Sequence, residues 1–211
     1  MIIHLEIVLL QGSVFLYKEI ALSATNHFIN KGVIDESKRV VYQYGFEVLF
    51  STLVYSFIFV ATALISETLI KSVVFWLGFF IIRKTSGGYH CNTYFSCHLL
   101  FLVNHLLFIV VIKTIPYSFI STLSIILFVL SFVFILIFAP VDNYNKPFIK
   151  TERKRFRKMS IVYAIVLLIF CVTNSIVLHL DTIAICLSIG SFSAAVSLIA
   201  GKIQIHRKEP S

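Results

Sequence analysis

The fold is decided by residues 116–138, which read PYSFISTLSIILFVLSFVFILIF and carry no charged side chain. A helix needs about 20 apolar residues to cross the hydrocarbon core of a bilayer, and this run is long enough. The rest of the chain has the same character, since 58% of its 211 residues are hydrophobic and 13% are charged. Soluble domains carry about 25% charged residues. The composition therefore predicts an all-α polytopic membrane protein.

Five further apolar runs accompany this one, so about six transmembrane helices are expected. The shortest run has Lys71 near its start and is close to the lower limit of about 17 residues for a span. The last two runs are expected to form a hairpin that turns at Asp181. In chain order the six runs are residues 46–65, 68–82, 96–112, 116–138, 159–180 and 182–203.

A single membrane domain is predicted over residues 1–211. Residues 1–44 form an N-terminal region with one or two interfacial amphipathic helices, residues 45–203 hold the six spans, and residues 204–211 form a cytoplasmic tail. His4, Gln11 and Lys18 recur every seven residues and so share one helical face. The alternative for this region is a seventh span, in which Lys18 and Glu19 would be costly at depth.

The basic residues predict the orientation of the chain in the membrane. The formal net charge is +8, and every large basic cluster between or beside the spans can be placed on one side. Only Lys71 and Lys113 then fall on the other. Because cytoplasmic loops are enriched in Lys and Arg, both termini and the segment after the second run are expected in the cytoplasm. Nucleic-acid binding is not expected, since these clusters lack any matching fold signature.

The segment 83–98, RKTSGGYHCNTYFSCH, is the most reactive-looking part of the chain. A Cys thiolate can act as a nucleophile, and a neighbouring His can take its proton. His90 with Cys97, and Cys91 with His98, have the same spacing. Seven residues rise about 10 Å along one helix, so either pair requires the chain to loop back. The glycines at 87 and 88 can break a helix, but the spacing does not choose between the pairs.

Other interpretations of the segment are open at this point. The two His-Cys pairs at 90–91 and 97–98 could ligate zinc, although they lack the usual gap within each ligand pair. They could also be polar residues of an ordinary loop. For the whole chain, the alternatives are a transporter or channel subunit without enzymatic activity, and a sensor that uses its thiols for redox response or metal.

Several of these residues together resemble the signature of the accessory gene regulator B (AgrB) family. They are Arg83, Gly87, Gly88, His90 and Cys97, following a short apolar run. Residues 44–47, YGFE, resemble the start of the family's first crossing. Residues 139–141, APV, followed by 145–147, NKP, and a basic run, resemble its central loop. The resemblance covers about residues 40–160. Cys91 departs from the pattern, because a small residue is more usual there.

The resemblance implies a membrane cysteine endopeptidase of the bacterial cell membrane, with His90 as the base and Cys97 as the nucleophile. The implied substrate is an AgrD-like precursor peptide that lies on the inner leaflet. Cleavage would release its C-terminal part and leave a thioester on Cys97, which a substrate side chain would attack to give a cyclic thiolactone or lactone. No cofactor or metal is implied, and homo-oligomerisation is left open.

Supporting roles follow for other residues. Arg83 is expected to hold a substrate carboxylate or the local fold, unless it only marks the cytoplasmic side. Glu47 is expected to orient the substrate or His90, unless it only stabilises a helix start. Asn92 and Asp142 are candidates for a third group that orients His90. A basic run is expected to dock an acidic precursor tail or anionic lipid, unless it only sets the topology; it comprises Lys146, Arg153, Lys154, Arg155, Arg157 and Lys158.

Overall fold

The computed structural model describes residues 18–89, 91, 94–142, 148–174 and 180–208. Within these residues the secondary structure is helical and no strand occurs. The all-α fold of a multi-pass membrane protein is therefore confirmed. Predictions that concern residues 1–17, His90, Asn92, Lys146 and residues 209–211 lie outside the described residues.

Seven α-helices follow one another along the described chain, and a short 3-10 helix, Glu36–Lys38, precedes the second. The first, α1, comprises residues 18–30. The others are α2 (Arg39–Ile65), α3 (Leu69–Ser86), α4 (Tyr94–Thr114), α5 (Tyr117–Phe138), α6 (Lys150–Thr173) and α7 (Asp181–Lys208). Five of them, α2 and α4 to α7, are long and apolar enough to cross a membrane. The crossing by α3, which carries Lys71, Arg83 and Lys84, stays a prediction.

The helices extend beyond the apolar runs at their charged ends. Helix α2 begins at Arg39, seven residues before the predicted span, and α6 begins at Lys150. The basic run after Lys150 was expected in a loop, and this expectation was wrong. Lys and Arg are good helix formers, and the Glu152 carboxylate accepts a hydrogen bond from Ile149 N at 3.3 Å across the first turn. Asp181, the predicted turn residue, is the first residue of α7.

The chain divides into two compact units, of which the first comprises residues 1–61 and 91–102. In its described part, the rings of Phe28 and Phe46 stack with centroids 5.7 Å apart, which joins α1 to α2. Arg39 also connects these segments, since its guanidinium donates to Asn26 and to Glu36. Phe59 and Phe101 stack at 6.0 Å, which joins α2 to the start of α4.

The second unit comprises residues 62–90 and 103–211. Helix α7 packs against α3 and α5, and α6 packs against α5 and α3. Glycines allow α3 and α7 to approach closely, as small residues commonly do at helix contacts in membranes. A Cβ atom on Gly78 would meet Leu187 O at 2.5 Å, and one on Gly190 would meet Phe79 N at 2.9 Å. This packing brings α7 alongside the end of α3 that leads to the reactive segment.

Candidate active site

A short non-helical segment, residues 87–89, follows α3, and we call it the glycine loop. Gly87 has φ +72° and Gly88 has φ +130°, a backbone conformation that glycine adopts without strain. Gly87 pairs with Val141 in an isolated parallel bridge, and Val141 N donates to Ser86 O at 2.8 Å. The prediction that the two glycines break the helix is confirmed. Cys91 is not helical and α4 begins at Tyr94, so no single helix runs from the glycine loop to Cys97.

The guanidinium of Arg83 holds the glycine loop in place. Its Nη1 donates to Ser197 Oγ at 2.8 Å and to Gly87 O at 3.3 Å, and its Nη2 donates to Tyr89 O. Tyr89 N in turn donates to Ser197 O at 2.8 Å. Of the roles expected for Arg83, these contacts favour holding the local fold over binding a substrate carboxylate.

Helix α7 also packs closely against the loop, because Gly201 of α7 has no side chain to keep the two apart. A Cβ atom on Gly201 would lie 2.6 Å from Gly88 C and 2.8 Å from Tyr89 N. A Cβ atom on Gly88 would meet Ser197 Oγ at 2.6 Å. The absence of side chains at these glycines therefore lets the loop backbone approach α7 closely.

Sequence reasoning missed Ser197 and Gly201. The signal that could have found them is the recurrence of small residues every three or four positions along α7, at Gly190, Ala194, Ser197 and Gly201. This spacing places them on one helical face, and small residues on one face indicate close helix packing in a membrane. The run had been interpreted only as an apolar span.

Two buried polar atoms beside the glycine loop lack a hydrogen-bond partner among the described residues. They are Ser86 Oγ and Asp142 Oδ1. The other carboxylate oxygen of Asp142 lies 3.5 Å from Arg153 Nη1. Buried polar atoms are nearly always bonded, so an open oxygen on Asp142 suits the role of a group that orients a histidine. Asp142 therefore stays a candidate for this role, as does Asn92, which lies outside the described residues.

Cys97 lies in the first turn of α4 and is half-buried. The positive end of a helix dipole favours negative charge there, which suits a thiolate nucleophile. Cys91 is also half-buried but precedes the helix. The ring of His98 stacks on Tyr55 with centroids 4.3 Å apart. Because His90 is outside the described residues, its pairing with Cys97 stays a prediction.

Glu47 lies in the third turn of α2 and is half-buried. Its Oε1 accepts from Gln43 Nε2 at 3.4 Å. The helix dipole acts within the first turn, and α2 begins eight residues earlier at Arg39. Stabilisation of a helix start therefore does not explain Glu47, and its role toward substrate or His90 stays a prediction.

The basic residues expected to dock a ligand lie at the start of α6. Arg153, Lys154, Arg155, Arg157 and Lys158 are all exposed. A surface hollow of about 320 Å³ is lined there by Lys150, Thr151, Arg153, Lys154 and Arg157. Of the residues predicted to dock a ligand, Arg153, Lys154 and Arg157 thus line one cationic hollow, and the docking role stays a prediction.

The sequence model of the family Accessory gene regulator B matches residues 21–199. The chain belongs to this family. A relative named AgrB-like protein 2, from Clostridium perfringens (strain 13 / Type A), is 28% identical over 154 residues, which cover 70% of this chain and 72% of the relative. An AgrB-like protein from Clostridium perfringens (strain SM101 / Type A) is 28% identical over 151 residues, covering 69% and 70%. No solved structure matches the chain.

Membership in the AgrB family assigns the protein to accessory gene regulator quorum sensing. The family is generally associated with peptide processing at the membrane, which implies a peptide precursor as partner. The glycine loop, Ser197 and Cys97 all lie within the residues that the family model matches.

Proposed function

We propose that the protein is a membrane cysteine endopeptidase that cleaves an AgrD-like precursor peptide and supports its cyclisation to a thiolactone or lactone signal. Cys97 is the nucleophile and His90 is the general base. The observation that carries the proposal is the anchored glycine loop. Arg83 and Ser197 fix the three residues before His90, and a fixed approach is what a general base needs to act on a defined proton.

In the first step, the sulfur of Cys97 attacks the carbonyl carbon at the end of the segment that becomes the ring. The thiol proton passes to His90. When the C–N bond breaks, His90 gives this proton to the departing amine, and the C-terminal peptide leaves. The rest of the substrate stays on Cys97 as a thioester.

In the second step, a Cys thiol or a Ser hydroxyl within the substrate attacks the thioester. Its proton passes through His90 to the sulfur of Cys97, which leaves, and the ring closes. Exchange of one thioester for another changes the free energy little, so the same site can cleave and cyclise. Water would hydrolyse the acyl-enzyme, and an interfacial site excludes it.

On this proposal the active site and both termini face the cytoplasm, where the precursor and inner-leaflet lipids are found. The support is that all large basic clusters then lie inside. A cysteine placed at Glu67 should react with an impermeant reagent from outside, and one placed at Thr151 should not. Labelling of the Thr151 position from outside would contradict the orientation.

The experiment that tests the chemistry uses two neighbouring half-buried thiols as a matched pair. Cys97→Ala should reduce precursor cleavage by on the order of 1,000-fold or more, as loss of a nucleophile does. Cys91→Ala should retain most activity. His90→Ala should also abolish cleavage. Release of the C-terminal fragment by purified protein in nanodiscs measures all three, and a hydroxylamine-sensitive precursor adduct should form with wild type and not with Cys97→Ala.

Two results would overturn the assignment. An inactive Cys91→Ala protein together with an active Cys97→Ala protein would transfer the nucleophile to the other thiol. Loss of activity on chelation, with recovery on addition of zinc, would replace thiol catalysis with a metal site.

A further inference from the structure

One face of α6 changes from cationic to apolar within two turns. Lys154, Arg157 and Lys158 line a surface hollow of about 340 Å³ together with Ile161 and Val162. Residues three and four apart share a helix face, so these five side chains form a single strip. Lys154 and Arg157 also line the neighbouring hollow at the start of α6. The two hollows therefore form one continuous surface.

The three cations of this strip have no carboxylate partner among the residues that the structure describes. Arg153 lies 3.5 Å from Asp142, but within the described part of the chain Lys154, Arg157 and Lys158 form no ion pair. All three are exposed. Three like charges within two turns repel one another, which favours an anionic occupant.

The apolar half of the strip continues along the same face. Val162, Ile165, Val166 and Ile169 are each exposed, at 47%, 41%, 55% and 57%. In a chain that spans a membrane these side chains meet hydrocarbon. The strip thus presents cations at the cytoplasmic interface and an apolar surface directly beneath them.

We propose that this strip is a binding site for one anionic phospholipid, with its phosphate against Lys154, Arg157 and Lys158 and an acyl chain along Ile161, Val162 and Ile165. Such a lipid carries an anionic headgroup above apolar chains, which is the same order as the cationic and apolar residues along the strip. An acidic peptide tail would match the cations but would leave the apolar turns uncovered. Free phosphate would likewise occupy only the cationic end.

The test is native mass spectrometry of the full chain in detergent, titrated with phosphatidylglycerol or phosphatidylcholine. The wild-type protein should retain phosphatidylglycerol in preference to phosphatidylcholine. Each basic residue near an anionic group changes affinity by about fivefold, so K154Q/R157Q/K158Q should lose about 100-fold. K31Q/K38Q/K202Q removes three exposed basic residues elsewhere and should retain the preference. I161S/V162S should weaken phosphatidylglycerol binding and leave any binding of glycerol phosphate unchanged.

Each alternative gives a different result. Equal retention by wild type and K154Q/R157Q/K158Q would overturn the proposal. Binding of glycerol phosphate as tightly as phosphatidylglycerol would assign the site to free phosphate. Displacement of phosphatidylglycerol by a short poly-glutamate peptide, with no effect of I161S/V162S, would assign it to an acidic peptide. None of these measurements depends on proteolysis, so they leave the proposed enzymatic function untouched.

Discussion

The two ends of α3 both hold polar groups in an apolar chain, but they do so in different ways. At the C-terminal end, Arg83 donates to backbone carbonyls of the glycine loop. At the other end, His105 is fully buried, with its Nε2 2.9 Å from Ser72 Oγ and its Nδ1 3.4 Å from Thr62 Oγ1. The histidine cluster (His105, Ser72 and Thr62) joins side chains of regular helices. The arginine cluster (Arg83, Ser197 and the glycine loop) instead holds backbone that lies outside the helices.

The two clusters therefore have different roles. Hydrogen bonds between helical side chains satisfy buried polar groups and hold helices together, each contributing about 0.6 kcal/mol on average in a membrane. Bonds to a loop backbone fix the position of whatever follows the loop. The histidine cluster should therefore affect stability more than activity, and the arginine cluster should affect activity more than stability.

Replacement of Arg83 should have the largest effect. Arg83→Gln should reduce precursor processing by about 100-fold, because a displacement of about 1 Å near a reacting group can have that effect. Arg83→Lys should recover little, since one ammonium cannot reach the three acceptors that a planar guanidinium reaches. The matched control is Lys84→Gln, which removes the adjacent exposed basic residue. Wild-type processing by Arg83→Lys would show that charge alone matters.

Gly88→Ala should come next. The new Cβ would meet Ser197 Oγ at 2.6 Å, and φ +130° is strained for alanine. We expect the unfolding free energy to fall by about 1–3 kcal/mol and processing to fall about tenfold. Gly45→Ala is the control, because nothing lies within 4 Å of its added Cβ and alanine favours helix by about 1 kcal/mol. Thermal unfolding in detergent measures the first quantity, and equal melting of both variants would contradict the packing argument.

His105→Ala tests the other end of α3. It should lower the unfolding free energy by about 1–2 kcal/mol, from lost hydrogen bonds and lost packing. Processing per folded molecule should stay within about twofold of wild type, since His105 lies beside Ser72 and Thr62, at the opposite end of α3 from the glycine loop. A loss of processing as large as that of Arg83→Gln would abolish the distinction between the two clusters.

Among the changes around the glycine loop, Ser197→Ala should have the smallest effect. It removes one acceptor of Arg83, but the backbone carbonyl that accepts from Tyr89 stays. One hydrogen bond contributes about 1 kcal/mol, so processing should fall about fivefold. Ser193→Ala is the control, since Ser193 Oγ donates to Asn104 Oδ1 at 3.2 Å, away from the loop. Identical activity of the two variants would show that Arg83 does not need this partner.

The helices could be predicted from the sequence because hydrophobicity decides what can cross a bilayer. Their ends could not, because Arg39 and the basic residues after Lys150 are charged and yet continue a helix. Charge marks the membrane boundary, and the backbone does not stop there. The predicted loop around the basic run was wrong for this reason.

Site residues that lie close to one another in the sequence could be predicted, whereas a site residue far along the sequence was missed. Arg83 and the two glycines lie within six residues, so their cooperation could be inferred. Ser197 is 114 residues away from Arg83, and a serine in an apolar run gives no sign of its partner. The roles of His90 and Cys97 stay predictions that the experiments above address.

The long separation between Arg83 and Ser197 has a consequence for biosynthesis. The reactive segment leaves the ribosome well before α7, because translation proceeds from the N-terminus. Until the last helix has been made and inserted, Arg83 lacks the Ser197 hydroxyl and Tyr89 lacks its carbonyl acceptor. A nascent or prematurely terminated chain thus carries a glycine loop that lacks its contacts with Ser197. On the proposed function, unfinished copies are therefore expected to process no precursor.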